Sequence, residues 1–169
     1  MNKACAVVVM GVSGCGKTSV AEGLAARFSA AFIEGDSLHP AANVDKMSRG
    51  VPLTDEDRWP WLDTVGRAMA DALARGESVV VSCSALKRVY RDRLRMASGG
   101  ALAFVFLKGS RDLLISRMAA REGHFMPVSL LDSQLATLED PTGEPGVVSV
   151  DIDAPVDEIV AAAFAALKG

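Results

Sequence analysis

Gly11-Val12-Ser13-Gly14-Cys15-Gly16-Lys17-Thr18 is a glycine, four residues and then Gly-Lys-Thr, a spacing whose chemistry is the binding of phosphate. Glycines let the backbone curl so that successive N–H groups point inward, and a helix starting at the end of the loop adds positive potential. In that pattern Lys17 reaches the β- and γ-phosphates of a nucleotide, and the Thr18 hydroxyl ligates Mg²⁺. A carboxylate for the metal must come from elsewhere. The apolar run Val79-Val80-Val81 ends in Ser82-Cys83, where motor ATPases and GTPases usually carry an aspartate. Glu34-Gly35-Asp36, two acids at the end of another short apolar run, is the available source.

The cations come next. Arg58 lies where a helix begins near the acid pair. Lys87, Arg88, Arg91, Arg93 and Arg95 follow the Ser82-Cys83-Ser84 stretch. A row of five cations is either a solvated face or, at its first end, part of a pocket, which makes Lys87 and Arg91 candidates. Arg117 and Arg121 are four residues apart and project from one helical face, just before the glycine-bearing loop Glu122-Gly123-His124-Phe125-Met126-Pro127. They read as a lid over transferring phosphates or as a surface pair.

These residues need elements to hold them. Ala4 to Met10 is a buried strand before the loop, and Val20, Ala21, Leu24 and Phe28 give the helix after it. Further strands are predicted at 31–33, 79–83, 102–107 and 147–150. A short polar helix is predicted over 40–49, with Pro40 at its first position and Gly50 ending it. Thr54 caps the next helix, whose Trp61, Leu62, Val65, Met69 and Leu73 form a core stripe; its tryptophans are packing anchors rather than a stacking platform. Ser110 caps a helix carrying Leu113, Leu114, Arg117 and Met118, another follows the glycine-bearing loop, and Pro155 opens the last. Five strands alternating with helices predict a parallel sheet covered on both faces, with ligands at the carboxyl ends of its strands.

At 169 residues the chain is read as one domain, 1–169, and half its residues are hydrophobic, enough for a full core. A net charge of −3, a pI near 5.4 and scattered basic residues argue against a nucleic-acid partner. Three widely spaced cysteines, Cys5, Cys15 and Cys83, suit reduced thiols in the cytoplasm; two histidines and no Cys-x-x-Cys give no case for zinc. The start of the chain carries no apolar signal core, and no apolar run approaches the roughly 20 residues of a membrane span.

Taken together, the chain resembles the compact phosphate-loop gluconokinases nearly end to end. The resemblance rests on residues 11–18, Glu34-Gly35-Asp36-Ser37-Leu38-His39-Pro40, Asn43, Lys46-Met47 and Gly50 through Arg58. It continues in Trp61-Leu62, Cys83-Ser84-Ala85-Leu86-Lys87, Tyr90-Arg91-Asp92, Arg117, Arg121, Gly123-His124-Phe125 and Gln134 through Glu139. Leu-His-Pro after the acid pair, together with Cys-Ser-Ala-Leu-Lys, is the specific part.

The resemblance implies a P-loop fold of the nucleoside-monophosphate-kinase and shikimate-kinase-like type, with a substrate-binding helical segment at about 36–75 and a mobile lid at about 117–128. It implies a cytoplasmic enzyme that uses ATP and Mg²⁺ to phosphorylate D-gluconate at its 6-hydroxyl for gluconate catabolism. Relatives are often dimers, so a homodimer is among the partners implied. In that reading Lys17, Arg117 and Arg121 neutralise phosphate charge, Asp36 is the base, and Thr18 and Glu34 serve the metal. Glu34 stands where relatives often carry aspartate, and its longer side chain suits a water-mediated contact. Arg58, Lys87 and Arg91 are the cations for the substrate carboxylate, with Asp36, His39, Asn43 and Ser84 as its polar partners. A shikimate-type or nucleotide acceptor would use the same core. A nucleotide-switched binding module would need a guanine-reading Asn/Thr-Lys-x-Asp motif, and none is present.

Overall fold

The computed structural model describes residues 3–99, 102–120 and 128–168. Five strands, β1 (Ala6–Met10), β2 (Ala31–Glu34), β3 (Val79–Ser82), β4 (Leu102–Lys108) and β5 (Val147–Asp151), form one parallel sheet in the order β2-β3-β1-β4-β5. The helices are α1 (Lys17–Phe28), α2 (Ala41–Ser48), α3 (Asp55–Ala74), α4 (Arg88–Ser98), α5 (Arg111–Ala119), α6 (Val128–Thr137) and α7 (Val156–Lys168).

β1 is buried along its whole length, as the centre of a two-faced parallel sheet must be. Its side chains alternate between two cores. Val7 and Val9 join Val20, Leu24, Ile159 and Val160 of α1 and α7 on one face. Ala6, Val8 and Met10 join Trp61, Leu62, Val65 and Leu94 of α3 and α4 on the other. The chain leaves β1 toward β2 at one edge and later returns to β4 on β1's other side. This reversal opens a crevice at the carboxyl ends of the central strands, and the phosphate-binding loop lies there.

The predicted strands and helices are all present, with ends shifted by a residue or two. One element was not expected: Gly35–Leu38 is a turn of 3-10 helix. It forms because the chain bends sharply at Gly35, where a β-carbon would lie 2.2 Å from the Ser82 carbonyl. Pro40 sits just before α2 as its cap residue rather than as its first helical residue. α3 begins with a full capping box, in which Asp57 N–H donates to Thr54 Oγ1 and Thr54 N–H donates to the Asp57 carboxylate. Arg121 and the glycine-bearing loop to Pro127 lie outside the described residues.

Candidate functional site

At the phosphate end, α1 starts directly after Gly16, whose φ of 87° lies in the left-handed region that glycine adopts without strain. No side chain caps this helix, so its first-turn N–H groups are donors aimed out of the loop. Lys17 Nζ donates to the Val12 carbonyl at 3.3 Å and thus lies across the loop it serves. Two distant segments brace that loop: Gly11 N–H donates to the Ser84 carbonyl at 3.3 Å, and Ser13 N–H to Gln134 Oε1 at 2.7 Å. Cys15 is fully buried, and burial raises its thiol pKa, so it serves as packing rather than as a reactive thiolate.

Beside the loop, the Thr18 hydroxyl donates to Glu34 Oε2 at 2.7 Å, and the Ser82 hydroxyl donates to Glu34 Oε1 at 2.5 Å. Glu34 and Ser82 are register partners on β2 and β3. The acid missing from the end of β3 is therefore supplied from one strand over. A hydroxyl that gives its proton to a carboxylate keeps its lone pairs for a cation. Among the described residues no three His, Cys, Asp or Glu side chains cluster as a closed cage. An oxygen-only, incomplete set of this kind suits a hard cation that takes its remaining ligands from phosphate and water.

At the acceptor end, the 3-10 turn carries Asp36 to the sheet edge with an exposed carboxylate, while Trp61 Nε1–H pins the turn by donating to the Gly35 carbonyl at 2.8 Å. Two expected substrate contacts look inward. The His39 ring is stacked on Trp61 with centroids 4.0 Å apart, and Asn43 is buried with Nδ2 donating to the Asp57 carbonyl at 2.9 Å. Both side chains, expected as polar partners of the substrate, are covered in this structure. Ser84 is half-buried, beside Ala85, whose φ of 47° is unusual for a residue with a β-carbon.

Arg58 and Lys87 do converge. Arg58 Nη1 donates to the Leu53 carbonyl at 2.8 Å and to the Tyr90 hydroxyl at 3.1 Å. Tyr90 donates in turn to the Asp55 carboxylate, to which Lys87 Nζ also donates at 3.2 Å. The Tyr90 bond first, and then that of Lys87, hold the Asp55 carboxyl below the usual carboxylate range, and the Asp55 bond raises Lys87. Asp55 and Tyr90 are among the residues that carry the resemblance, but the sequence reading gave them no role in the site; the chain's one tyrosine beside a predicted cation was the available signal.

Arg91 is a correction. Its side chain is 0% exposed and forms a two-armed pair with Glu144, with Nε to Oε1 at 2.9 Å and Nη2 to Oε2 at 2.6 Å. Its other donors go to the carbonyls of Ala85, Leu86 and Glu139. With its guanidinium saturated, Arg91 fixes the strained Ala85 turn from beneath instead of meeting a ligand. Arg117 also differs from expectation. It donates to the carbonyls of Ile152 and Ala154 at 2.6 and 3.3 Å, which ties it to the turn between β5 and α7, on a helix whose Leu114 and Met118 lie against Gly14 of the phosphate loop. Gln134 and Ser82 were named in the sequence without these roles, because each acts on a residue far away in sequence.

A phosphate-binding loop at the switch point of a parallel sheet, with an acid on β2 bonded to its threonine and an exposed carboxylate just beyond, defines a P-loop kinase of small molecules. A family model described as an AAA domain matches residues 7–141. A gluconokinase of Gluconobacter oxydans (strain 621H) is 53% identical over 144 residues, covering 85% of this chain and 80% of its own. The thermoresistant gluconokinase of Escherichia coli K12 is 45% identical over 163 residues, covering 95% of this chain and 92% of its own. The crystal structure of a gluconokinase from Sinorhizobium meliloti 1021 superposes with a TM-score of 0.89 at 56% identity, across 99% of this chain and 94% of that one. The chain belongs to the gluconokinase family.

Proposed function

We infer that the protein is a gluconokinase that transfers the γ-phosphoryl group of ATP to the 6-hydroxyl of D-gluconate. The observation that carries this is the pairing of family membership with a site whose two ends suit the two substrates. Phosphoryl transfer asks for in-line positioning and neutralised charge more than for covalent help. Lys17 and the N–H groups at the start of α1 bind the β- and γ-phosphates. Thr18 and Glu34, joined by the hydrogen bond that the Thr18 hydroxyl donates, would hold Mg²⁺, with Glu34 acting through water, and the ion would supply positive charge against the phosphates. Asp36 accepts the proton of the attacking hydroxyl. Its exposed carboxylate at the end of β2 supports that role.

Gluconate is an anionic polyol. Arg58 and Lys87 are the cations for its carboxylate, and Ser84 is a hydroxyl partner. His39 and Asn43 support this surface from behind, and Arg91 shapes the loop under it. The segment at about 36–75 is the acceptor-binding part. Arg121, which lies outside the described residues, remains the candidate arginine for the transferring phosphate. The three free thiols, two of them buried, and the ATP requirement support a cytoplasmic location. No helix among the described residues is long and apolar enough to cross a membrane.

A coupled ADP-release assay across gluconate, shikimate, glucose, adenylylsulfate and nucleoside monophosphates tests the reading. Turnover is expected with gluconate. A higher kcat/KM with any of the others overturns it.

A further inference from the structure

His39 belongs to a network with only one self-consistent proton arrangement. Asn43 faces the Asp57 carbonyl at 2.9 Å, an oxygen that only accepts, so the atom facing it is the amide nitrogen. The second proton of that nitrogen points at His39 Nδ1, 3.2 Å away. Nδ1 must then be the accepting, unprotonated nitrogen, and the ring's proton sits on Nε2. Nε2 lies 4.0 Å from Asp36 Oδ1. Trp61, stacked on the ring and bonded to the Gly35 carbonyl, holds both the imidazole and the turn that carries Asp36.

We propose that His39 is a positioning residue for the base, locked by Asn43 and Trp61 as the neutral Nε2–H tautomer so that its N–H dipole faces and steadies the ionised Asp36. The proposal rests on the reading of Asp36 as base. The ring itself is not open to a ligand, since its side chain is only 4% exposed. The charged groups around it come from three elements. Asp36 on the 3-10 turn favours an imidazolium; Arg58 on α3 opposes it; Lys46 of α2 is committed to Asp57 at 2.6 Å behind Asn43. Burial outweighs these and lowers the His39 pKa below its ordinary value, consistent with a neutral ring.

The two amide replacements of histidine separate the roles. Glutamine places an N–H near the Nε2 position, and asparagine places its amide near Nδ1. If His39 acts through Asp36, His39→Gln keeps kcat within about threefold of wild type, whereas His39→Asn lowers kcat by about tenfold or more with both KM values within about twofold. A second measurement does not depend on turnover or on either variant being active. Imidazole ¹H–¹⁵N spectra of the wild-type protein at pH 7, assigned by the signal missing from His39→Gln, should show a protonated Nε2 and a bare Nδ1. The opposite tautomer, a cation at pH 7, equal losses in the two variants, or a worse glutamine variant each overturn the proposal. Wild type that releases no ADP with gluconate overturns the functional reading and the proposal with it; active wild type with a wrong tautomer overturns the proposal alone.

Discussion

The two ends of the site are made of different material. The phosphate end is eight consecutive residues whose donors are mostly backbone N–H groups at a helix start, with one lysine lying over them. The acceptor end is assembled from side chains on and around the 3-10 turn, α2, α3 and α4, and its Arg58, Lys87 and Arg91 are already engaged. A contiguous backbone site is fixed by local geometry and survives changes of context. A side-chain site depends on which partners the fold supplies. Lys87 and Arg91 show the difference, since one helical turn separates an ammonium at the rim, held by Asp55, from a guanidinium sealed in the interior by Glu144.

The largest effect is expected at the phosphate end. Lys17→Ala removes a charge that acts on the transferring phosphate, so kcat should fall on the order of a thousandfold. The melting temperature should stay near wild type, because Lys17 has one long bond to its own loop. Loss of folding, or turnover near normal, would show that the lysine holds the loop together and would blur the contrast between the two ends.

Next comes Arg91→Met, which should act on stability. It leaves the Glu144 carboxylate, 7% exposed, without its two-armed partner. Arg95 still donates to Glu144 at 3.1 Å, so the cost falls to about 2–3 kcal/mol, or roughly 7 °C in melting temperature for a chain this size. Lys87→Met should do the reverse, raising the KM for gluconate about tenfold while the melting temperature barely moves. Thermal scans and initial rates on the two variants check both halves. If Arg91→Met keeps its stability and loses only gluconate affinity, the inward assignment of Arg91 fails.

Asp36→Asn keeps size and hydrogen bonding but removes the charge, so kcat should drop about a hundredfold if Asp36 acts as the base. A change confined to the Mg²⁺ dependence would make Asp36 a metal-side group and place both acids of the Glu34-Gly35-Asp36 run at the phosphate end.

What could be read beforehand follows the same division. The strands and the phosphate loop were legible because their signals are local: Val7 to Met10 is a buried run, and the loop's glycines flank it. The acid pair was legible by elimination, from the missing aspartate at Ser82. The 3-10 turn was not, because it depends on Gly35 meeting Ser82, a contact between separate strands. The sequence does not show that His39 is covered by Trp61, that Tyr90 reaches Asp55, or that Arg91 finds Glu144 in a loop that reads as a mere connection. Each of those pairs is set by the packing of helices against the sheet. A charge in the sequence is therefore a poor guide to a free charge in the fold, whereas a glycine pattern between a strand and a helix is a good one.

The smallest expected effect concerns Arg117, and it tests whether the nucleotide end reaches beyond the phosphate loop. The sequence reading put Arg117 over the transferring phosphate. In the structure its guanidinium instead ties α5 to the turn after β5 through the Ile152 and Ala154 carbonyls. Removing a charged donor from such partly buried carbonyls costs about 1–2 kcal/mol. Arg117→Ala should therefore lower stability by that amount and raise the KM for ATP a few-fold, because the loosened turn borders the nucleotide side of the crevice. Both kcat and the KM for gluconate should stay within about twofold, since nothing at the acceptor end touches this arginine. The opposite pattern, a kcat loss of about tenfold or more with ATP affinity unchanged, would mean that Arg117 leaves those carbonyls when both substrates bind and acts on the transition state. Measuring both KM values and kcat on the one variant separates the outcomes, because a group holding the turn and a group holding the transition state cannot give the same split.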